Sequence, residues 1–366
     1  MILDASGPFD TATPYADLTP TSVLDALDAV GMRGDGRLIQ LNSYENRVFQ
    51  AFLEGGRVVV LKFYRPGRWS DQQILEEHAF AIELAQHEIP VVAPITLALG
   101  PHMQDRASII GENATLALMH AQAGGHRVAV TPRRSGRAPE FDDPQALQWI
   151  GRFLGRLHAV GSTGVFRDRS VFNVANVGFV ARDWLRDHDT IPADAQRPWN
   201  AACDAALGEA QRLFDAAGDV RQLRLHGDCH AGNLLWTDAG PHFVDLDDAC
   251  TGPAMQDLWM LLSGDEDSMD AQLAQLLSGY EQFMDFEPRE RLLIEPLRSL
   301  RMIHHSAWIA RRWSDPAFPV AFPWFEGAAY WQQQAQQLRE QVDAMRKGKH
   351  SVNPLVATAE QKPLDT

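Results

Sequence analysis

Short apolar runs broken by turn residues fill the first third of the chain, and apolar residues at helical spacing fill most of the remainder. The stretch RLIQLNSYENRVFQAFLEGGRVVVLKFYRP predicts strand, tight turn, strand, Gly55-Gly56 turn and strand. In VVVLKFY the period of two puts Val58, Val60, Lys62 and Tyr64 on one face and Val59, Leu61 and Phe63 on the other. Lys62 thus sits mid-strand on an otherwise apolar face. LTPTSVLDALDAVG reads as a short helix capped by Thr21 or Ser22 and stopped at Gly31. SDQQILEEHAFAIELAQHEI reads as a longer one, with Ser70 and Gln73 spaced as a capping box. VVAPITLA and SIIGENATLALMHA predict two or three more strands.

After Gly124-Gly125 the pattern changes. Residues 127–143, RVAVTPRRSGRAPEFDD, combine Pro, Gly and arginines and read as an exposed loop. From Pro144 onward helical periodicity prevails, in PQALQWIGRFLGRLHAVG, PWNAACDAALGEAQRLFDAAG, QDLWMLLSG, AQLAQLLSGYEQFM, RLLIEPLRSLRMIHHSAWIARRW and AYWQQQAQQLREQVDAMRKG. The expected organisation is a loose N-terminus (1–18), a strand-rich small lobe with one main helix (19–122), a hinge near 119–125, a larger helical lobe (123–345) and a disordered tail (346–366). The fold class expected is α+β and bilobal.

Composition narrows the function. A net charge of −15 argues against a general nucleic-acid or anionic-membrane binder. The three cysteines, Cys203, Cys229 and Cys250, are too few and too widely spaced for a disulfide framework. The N-terminus has no signal-like pattern, and no apolar run reaches the roughly 18 residues of a membrane span. The expectation is a reduced, cytoplasmic, monomeric protein. Of 33 basic residues only four are lysines, and three of those, Lys347, Lys349 and Lys362, lie at the C-terminal end. The folded body keeps one, Lys62. A single lysine held against such arginine use points to a task that a compact ammonium does and a guanidinium fork does not.

The chemistry concentrates in LHGDCHAGNLLW, residues 225–236. A zinc site on His226, Cys229 and His230 would need four ligands at workable spacing, and no C-x-x-C or H-x(3–5)-H pair lies near. His226 and His230 read instead as loop-backbone partners and Cys229 as a buried filler. The other reading uses Asp228, Asn233 five residues on, and Asp245 in HFVDLDDA. A hairpin through LLWTDAGPHFVD, turning at 238–241, would return Asp245 beside Asn233. Phosphoryl transfer from a nucleotide uses one carboxylate at the attacking hydroxyl and hard oxygen ligands that hold Mg²⁺ against the phosphates. Lys62 would pair the phosphates, held by Glu77 or Glu76.

HGDCHAGN followed by VDLDD resembles the H-G-D-x-H-x-x-N motif and metal-binding aspartate of the aminoglycoside phosphotransferase/choline kinase-like family. LNSYENRVFQ, VVLKFYRPGRW, QILEEHAFA, FVDLDDACTGPAMQDLWMLL and ARRWSDPAFPVAFPW are similar to a branch of bacterial Ser/Thr protein kinases of the stress response. The resemblance spans residues 18–340. It implies a protein-kinase-like fold, ATP as donor and Mg²⁺ as cofactor. It assigns Asp228 as catalytic, Asn233 and Asp245 as metal ligands, Lys62 and Ser43 as ATP contacts, and Glu77 as the lysine's partner. Asp257 in QDLW matches a buried aspartate that braces the catalytic loop, and Asp247 would assist a second Mg²⁺. Protein Ser/Thr hydroxyls, the chain's own included, are the expected acceptors.

The small lobe departs from the kinase pattern: it has no G-x-G-x-x-G, so NSYENRV must cover the phosphates with side chains. No arginine precedes Asp228, so there is no arginine pocket for a phosphorylated activation loop. A small-molecule kinase acting on a choline-, homoserine- or aminoglycoside-like hydroxyl would share the same catalytic residues. A non-catalytic scaffold is the third reading, and the intact lysine and metal ligands speak against it. His304, His305, Arg311, Arg312 and Trp313 share one helical stretch, read as core and rim with a substrate-side wall as the alternative.

Overall fold

The computed structural model describes residues 13–120 and 125–347. The small lobe is built on one antiparallel sheet in the order β1-β2-β3-β6-β5-β4. Its strands are β1 (Gly34–Leu41), β2 (Arg47–Leu53), β3 (Val58–Phe63), β4 (Ala107–Ile110), β5 (Leu116–Met119) and β6 (Arg127–Pro132). Val59, Leu61 and Phe63 of β3 face a core shared with α1 (Pro20–Ala29), while Lys62 faces the other way. Thr19 caps α1 and Ser22 closes the capping box, so the cap lies two or three residues ahead of the Thr21 or Ser22 read from sequence. On the Lys62 side lies α2 (Asp71–Gln86), with the Ser70–Gln73 box formed as predicted.

Three sequence expectations are corrected in this lobe. Residues 127–132 are the strand β6, paired with β3 on one side and β5 on the other, and Val128 and Val130 are buried in the core. The sheet therefore continues past residue 122, and the chain leaves it after Pro132. Of the expected hinge, residues 121–124 lie outside the described residues. Residues 91–98 form no strand: Val91 makes an isolated bridge to Phe243 of the large lobe, and the run then turns to the small lobe, where Ile95 and Leu97 donate singly to the Val130 and Ala114 carbonyls. Residues 13–18 are not loose: the Tyr15 hydroxyl donates to the Glu45 carbonyl at 3.0 Å. The rest of the expected loose N-terminus and the tail beyond Lys347 lie outside the described residues.

The large lobe is helical. α3 (Pro144–Gly161) packs on α7 (Glu266–Tyr280), and α5 (Ala193–Ala217) packs on α8 (Ile294–Ala310) and α10 (Ala328–Lys347). The α3–α7 contact is close because glycines line it: a Cβ at Gly279 would lie 2.0 Å from the Gln148 carbonyl oxygen. A π-helical turn, Val174–Phe179, runs into α4 (Val180–Asp187), a region with no clear sequence period. α10 extends through Lys347, two residues into the stretch expected to be tail. Between the helices lie β7 (Leu223–Leu225), the hairpin β8 (Leu234–Thr237) and β9 (Gly240–Phe243), and β10 (Cys250–Gly252) paired with β7. The hairpin turns on Asp238-Ala239, with Gly240 at φ 99°. α6 (Met255–Leu258) follows and α9 (Ala317–Ala321) lies after α8. Among the described residues no helix is long and apolar enough to cross a membrane.

Candidate active site

The loop after β7 is held from below by one buried carboxylate. Asp257 at the start of the large-lobe core accepts the backbone N–H of His226 and of Gly227, each at 2.8 Å. Its Oδ2 also meets His158 Nε2 at 3.0 Å, and His158 Nδ1 meets the Tyr280 hydroxyl at 2.9 Å. All three side chains are fully buried, so the loop backbone rests on a satisfied network. Gly227 has φ 86°, and a Cβ there would lie 2.0 Å from the Asp248 carbonyl oxygen, so only glycine fits between the braced loop and the next one.

This anchoring presents Asp228. The Asn233 amide donates back to the Asp228 carbonyl at 3.0 Å, closing the turn that contains both. The Val244 N–H donates to the Asn233 carbonyl at 3.0 Å, which brings Asp245 next to Asn233 as the hairpin predicted. Asp245 itself is left-handed at φ 60°, an unusual conformation for a side-chain-bearing residue and one that turns its carboxylate out of the hairpin.

Lys62 reaches across from β3 to this second loop. Its Nζ lies 2.7 Å from Asp245 Oδ1 and 3.2 Å from Asp247 Oδ1. Burial alone would lower the lysine's pKa, but the two carboxylates more than reverse it and hold it well above its usual value. The expected direct ion pair with a helix glutamate is not formed. Glu76 accepts three backbone N–H groups of the large-lobe loop, from Arg167, Asp168 and Arg169 at 2.5, 2.9 and 2.8 Å. Glu77 is buried within the field of Lys62, and burial pushes its carboxyl up to about 7. Asp245 and Asp247 take the ammonium in its place.

Asp228 has different neighbours. Arg301 Nη1 of α8 lies 2.5 Å from its Oδ1, and His230 Nε2 lies 3.4 Å from its Oδ2. Burial acts to raise the Asp228 pKa, but His230 and Arg301 outweigh it and hold the carboxyl well below the carboxylate range. Beside it opens a cavity of about 400 Å³ lined by Trp259, Met260, Met269, Arg298 and Arg301 among others. His226 and His230 serve the loop backbone as expected: His226 Nε2 lies 2.9 Å from the Val244 carbonyl, and His230 Nδ1 accepts the Gly232 N–H at 2.9 Å. Among the described residues no group of three or more His, Cys, Asp or Glu side chains could hold a metal ion. All three cysteines are free and buried, and burial raises the Cys203 thiol to about 12.

Besides Arg301, two residues beside Asp247 escaped the sequence reading. Arg68, in the turn between β3 and α2, pairs with Asp247 at 2.6 Å and Asp248 at 2.5 Å. Asn46 of the β1–β2 loop donates to Asp247 Oδ2 at 3.1 Å. Ser43 lies in the same loop, half-buried.

The sequence profile of the phosphotransferase enzyme family (APH) matches residues 37–293. The chain belongs to that family. Among its relatives, Stress response kinase A of Salmonella choleraesuis (strain SC-B67) is 42% identical over 346 residues, 94% of this chain and 99% of that protein. Serine/threonine protein kinase RdoA of Salmonella typhimurium is 41% identical, and Stress response kinase A of Escherichia coli (strain K12) is 40% identical, over the same shares. Solved structures share the fold. A microcompartment-associated aminopropanol kinase aligns with TM-score 0.65 at 16% identity, covering 91% of this chain and 99% of that one. Amicoumacin kinase hAmiN, in complex with AMP-PNP, Ca²⁺ and Ami, aligns with TM-score 0.62 at 19% identity, covering 87% and 93%. The bilobal α+β phosphotransferase fold expected from the sequence is thus the fold of the chain.

Proposed function

We propose that this phosphotransferase is an ATP- and Mg²⁺-dependent kinase that transfers the γ-phosphoryl group to Ser/Thr hydroxyls of proteins, its own included, in a bacterial stress response. The observation that carries the reading is the meeting of Lys62 with Asp245 at 2.7 Å across the two lobes, with Asn233 adjoining Asp245 and Asp228 at the other end of the same turn. Lys62 pairs the nucleotide phosphates, and Ser43 covers them from the β1–β2 loop. Asp228, kept ionised, orients the acceptor hydroxyl and takes its proton as the oxygen attacks in line. Glu77 stands behind the lysine on α2, within its field. The Asn233 amide and the Asp245 carboxylate are hard oxygen donors on adjoining backbone. That set suits Mg²⁺, which keeps several waters and needs few protein oxygens. Bound there, the ion neutralises polyphosphate charge. The relatives at about 40% identity named as stress response and Ser/Thr protein kinases support the choice of acceptor.

The wall at Asp228 supports it too. A cationic acceptor such as choline or an aminoglycoside calls for an acidic wall. Here Arg301 stands directly on Asp228, and Arg298, paired with Glu295 at 3.2 Å, lies over the Trp259 ring. The test is incubation with labelled ATP and Mg²⁺, scoring self-labelling, a generic protein acceptor and a panel of small hydroxyl compounds side by side. Label on protein is the expected result. Label only on a small compound overturns the protein-kinase reading in favour of a metabolite kinase.

A further inference from the structure

The β1–β2 loop, residues 42–46, contains no glycine. A glycine-rich loop grips phosphates through its own backbone, and this one must be held in place by other means. Its side chains show how. The Glu45 carboxylate is buried between the lobes. Arg312 Nη2 lies 2.7 Å from Oε2, and the Trp308 indole N–H donates to the same oxygen at 2.6 Å. Arg65 Nε lies 3.1 Å from Oε1, and Arg68 Nη1 lies 3.7 Å from Oε2. Trp308 and Arg312 belong to the end of α8 and the turn after it, so the large lobe holds this loop directly. Arg65 continues to Asp315 at 2.6 Å, and the Tyr44 ring lies 5.3 Å from that of Phe322.

The contacts line up as alternating charges. Arg312 meets Glu45, Glu45 meets Arg68, Arg68 meets Asp247, Asp247 meets Lys62 and Lys62 meets Asp245, with separations of 2.7, 3.7, 2.6, 3.2 and 2.7 Å. A buried carboxylate survives as an anion only where partners surround it, and Glu45 has them from both lobes.

We infer that Glu45 is a positioning residue: through it the segment 308–315 clasps the loop over the phosphate site and, by way of Arg68, sets the carboxylate that Lys62 shares. What the loop covers rests on the kinase reading above. The clasp replaces backbone flexibility with a grip from outside, so seating the loop and closing the lobes become one event.

Steady-state kinetics of the full-length protein with Glu45→Gln, Arg312→Gln and the double variant test this. Glu45→Gln should raise KM for ATP about tenfold while kcat changes less than about threefold, and the double variant should be no worse than Glu45→Gln, because the two residues act as one unit. Glu45→Asp should recover part of the loss. Amide hydrogen exchange of residues 42–46 should quicken in both single variants while the remaining small-lobe strands keep their protection. An unchanged KM with unchanged loop exchange in Glu45→Gln overturns the clasp, as do additive effects in the double variant. Should Glu45→Gln fail to fold, Arg312→Gln supplies the same two readouts. If the wild-type protein transfers no phosphoryl group, the kinase reading fails instead, and loop exchange, which needs no turnover, still decides the clasp.

Discussion

Asp228 and Asp247 are both held ionised well below the carboxylate range, yet they are held differently. Asp247 is almost wholly buried and contacts Lys62, Arg68 and Asn46, all from the small lobe. Asp228 is 23% exposed and faces one arginine, Arg301, whose own side chain is 43% exposed, with a histidine at longer range. The Asp247 end of the cleft is fixed by groups from both lobes. The Asp228 end is closed by a single side chain free to swing away. On the function proposed above, that asymmetry would suit a site that admits a variable hydroxyl beside a constant polyphosphate.

The largest test of the contrast is at Asp228. Asp228→Ala should cut turnover on the order of 10⁴-fold, with nucleotide binding by isothermal titration unchanged. Retained activity would remove Asp228 from the chemistry. At the other end, Asp247→Asn strips a charge from two buried cations and should destabilise the fold by about 3–5 kcal/mol, read by urea unfolding. A change within about 0.5 kcal/mol would mean that the Asp247 end is no better fixed than a surface pair.

Glu77 gives a pH-dependent version of the same comparison. Burial raises its folded value from 4.5 to about 7, although Lys62 pulls the other way. The neutral acid is then favoured in the fold, so its contribution is complete below the unfolded value and is lost as pH rises toward 7. Glu77→Gln should flatten that loss and leave the protein about 2–3 kcal/mol more stable than wild type at pH 8, with little difference at pH 4.5. Parallel unfolding curves for the two proteins at both pH values would refute it. The smallest effect is expected at Arg301. Arg301→Ala releases Asp228 toward its ordinary value and should move the acid limb of the rate profile upward by about one pH unit. No movement would show that His230 alone sets the carboxylate.

What was legible in the sequence follows from what is local. Asp228, Asn233 and Asp245 lie within one short hairpin, so their spacing brought them together on paper as it does in space. Lys62 declared itself by being the one lysine ahead of Lys347, which ends α10. The strand β6 did not, because its apolar core of Val128, Ala129 and Val130 is hemmed in by arginine and proline, which read as loop. The run 91–98 erred in the opposite direction, with strand-like composition but only single contacts to β9 at Val91-Val92 and to β6 at Ile95 in place of a ladder. Arg68, Glu45 and Arg301 were invisible for a different reason. Their partners lie 179, 263 and 73 residues away in sequence, and no periodicity connects such positions. Glu76 and Glu77 were indistinguishable from spacing, since both sit on the same turn of α2. Only the loop at 167–169, which takes Glu76, separates them.

The position of β6 in the sheet has a bearing on any attempt to divide the molecule. It fills the slot between β3, which carries Lys62, and β5. A fragment ended at residue 122 would therefore lose an interior strand. It would open two raw edges in the middle of its own sheet, a template for joining copies edge to edge. The small lobe, cut ahead of Gly124-Gly125, is a recipe for aggregate, and the first cut that spares the sheet falls after Pro132.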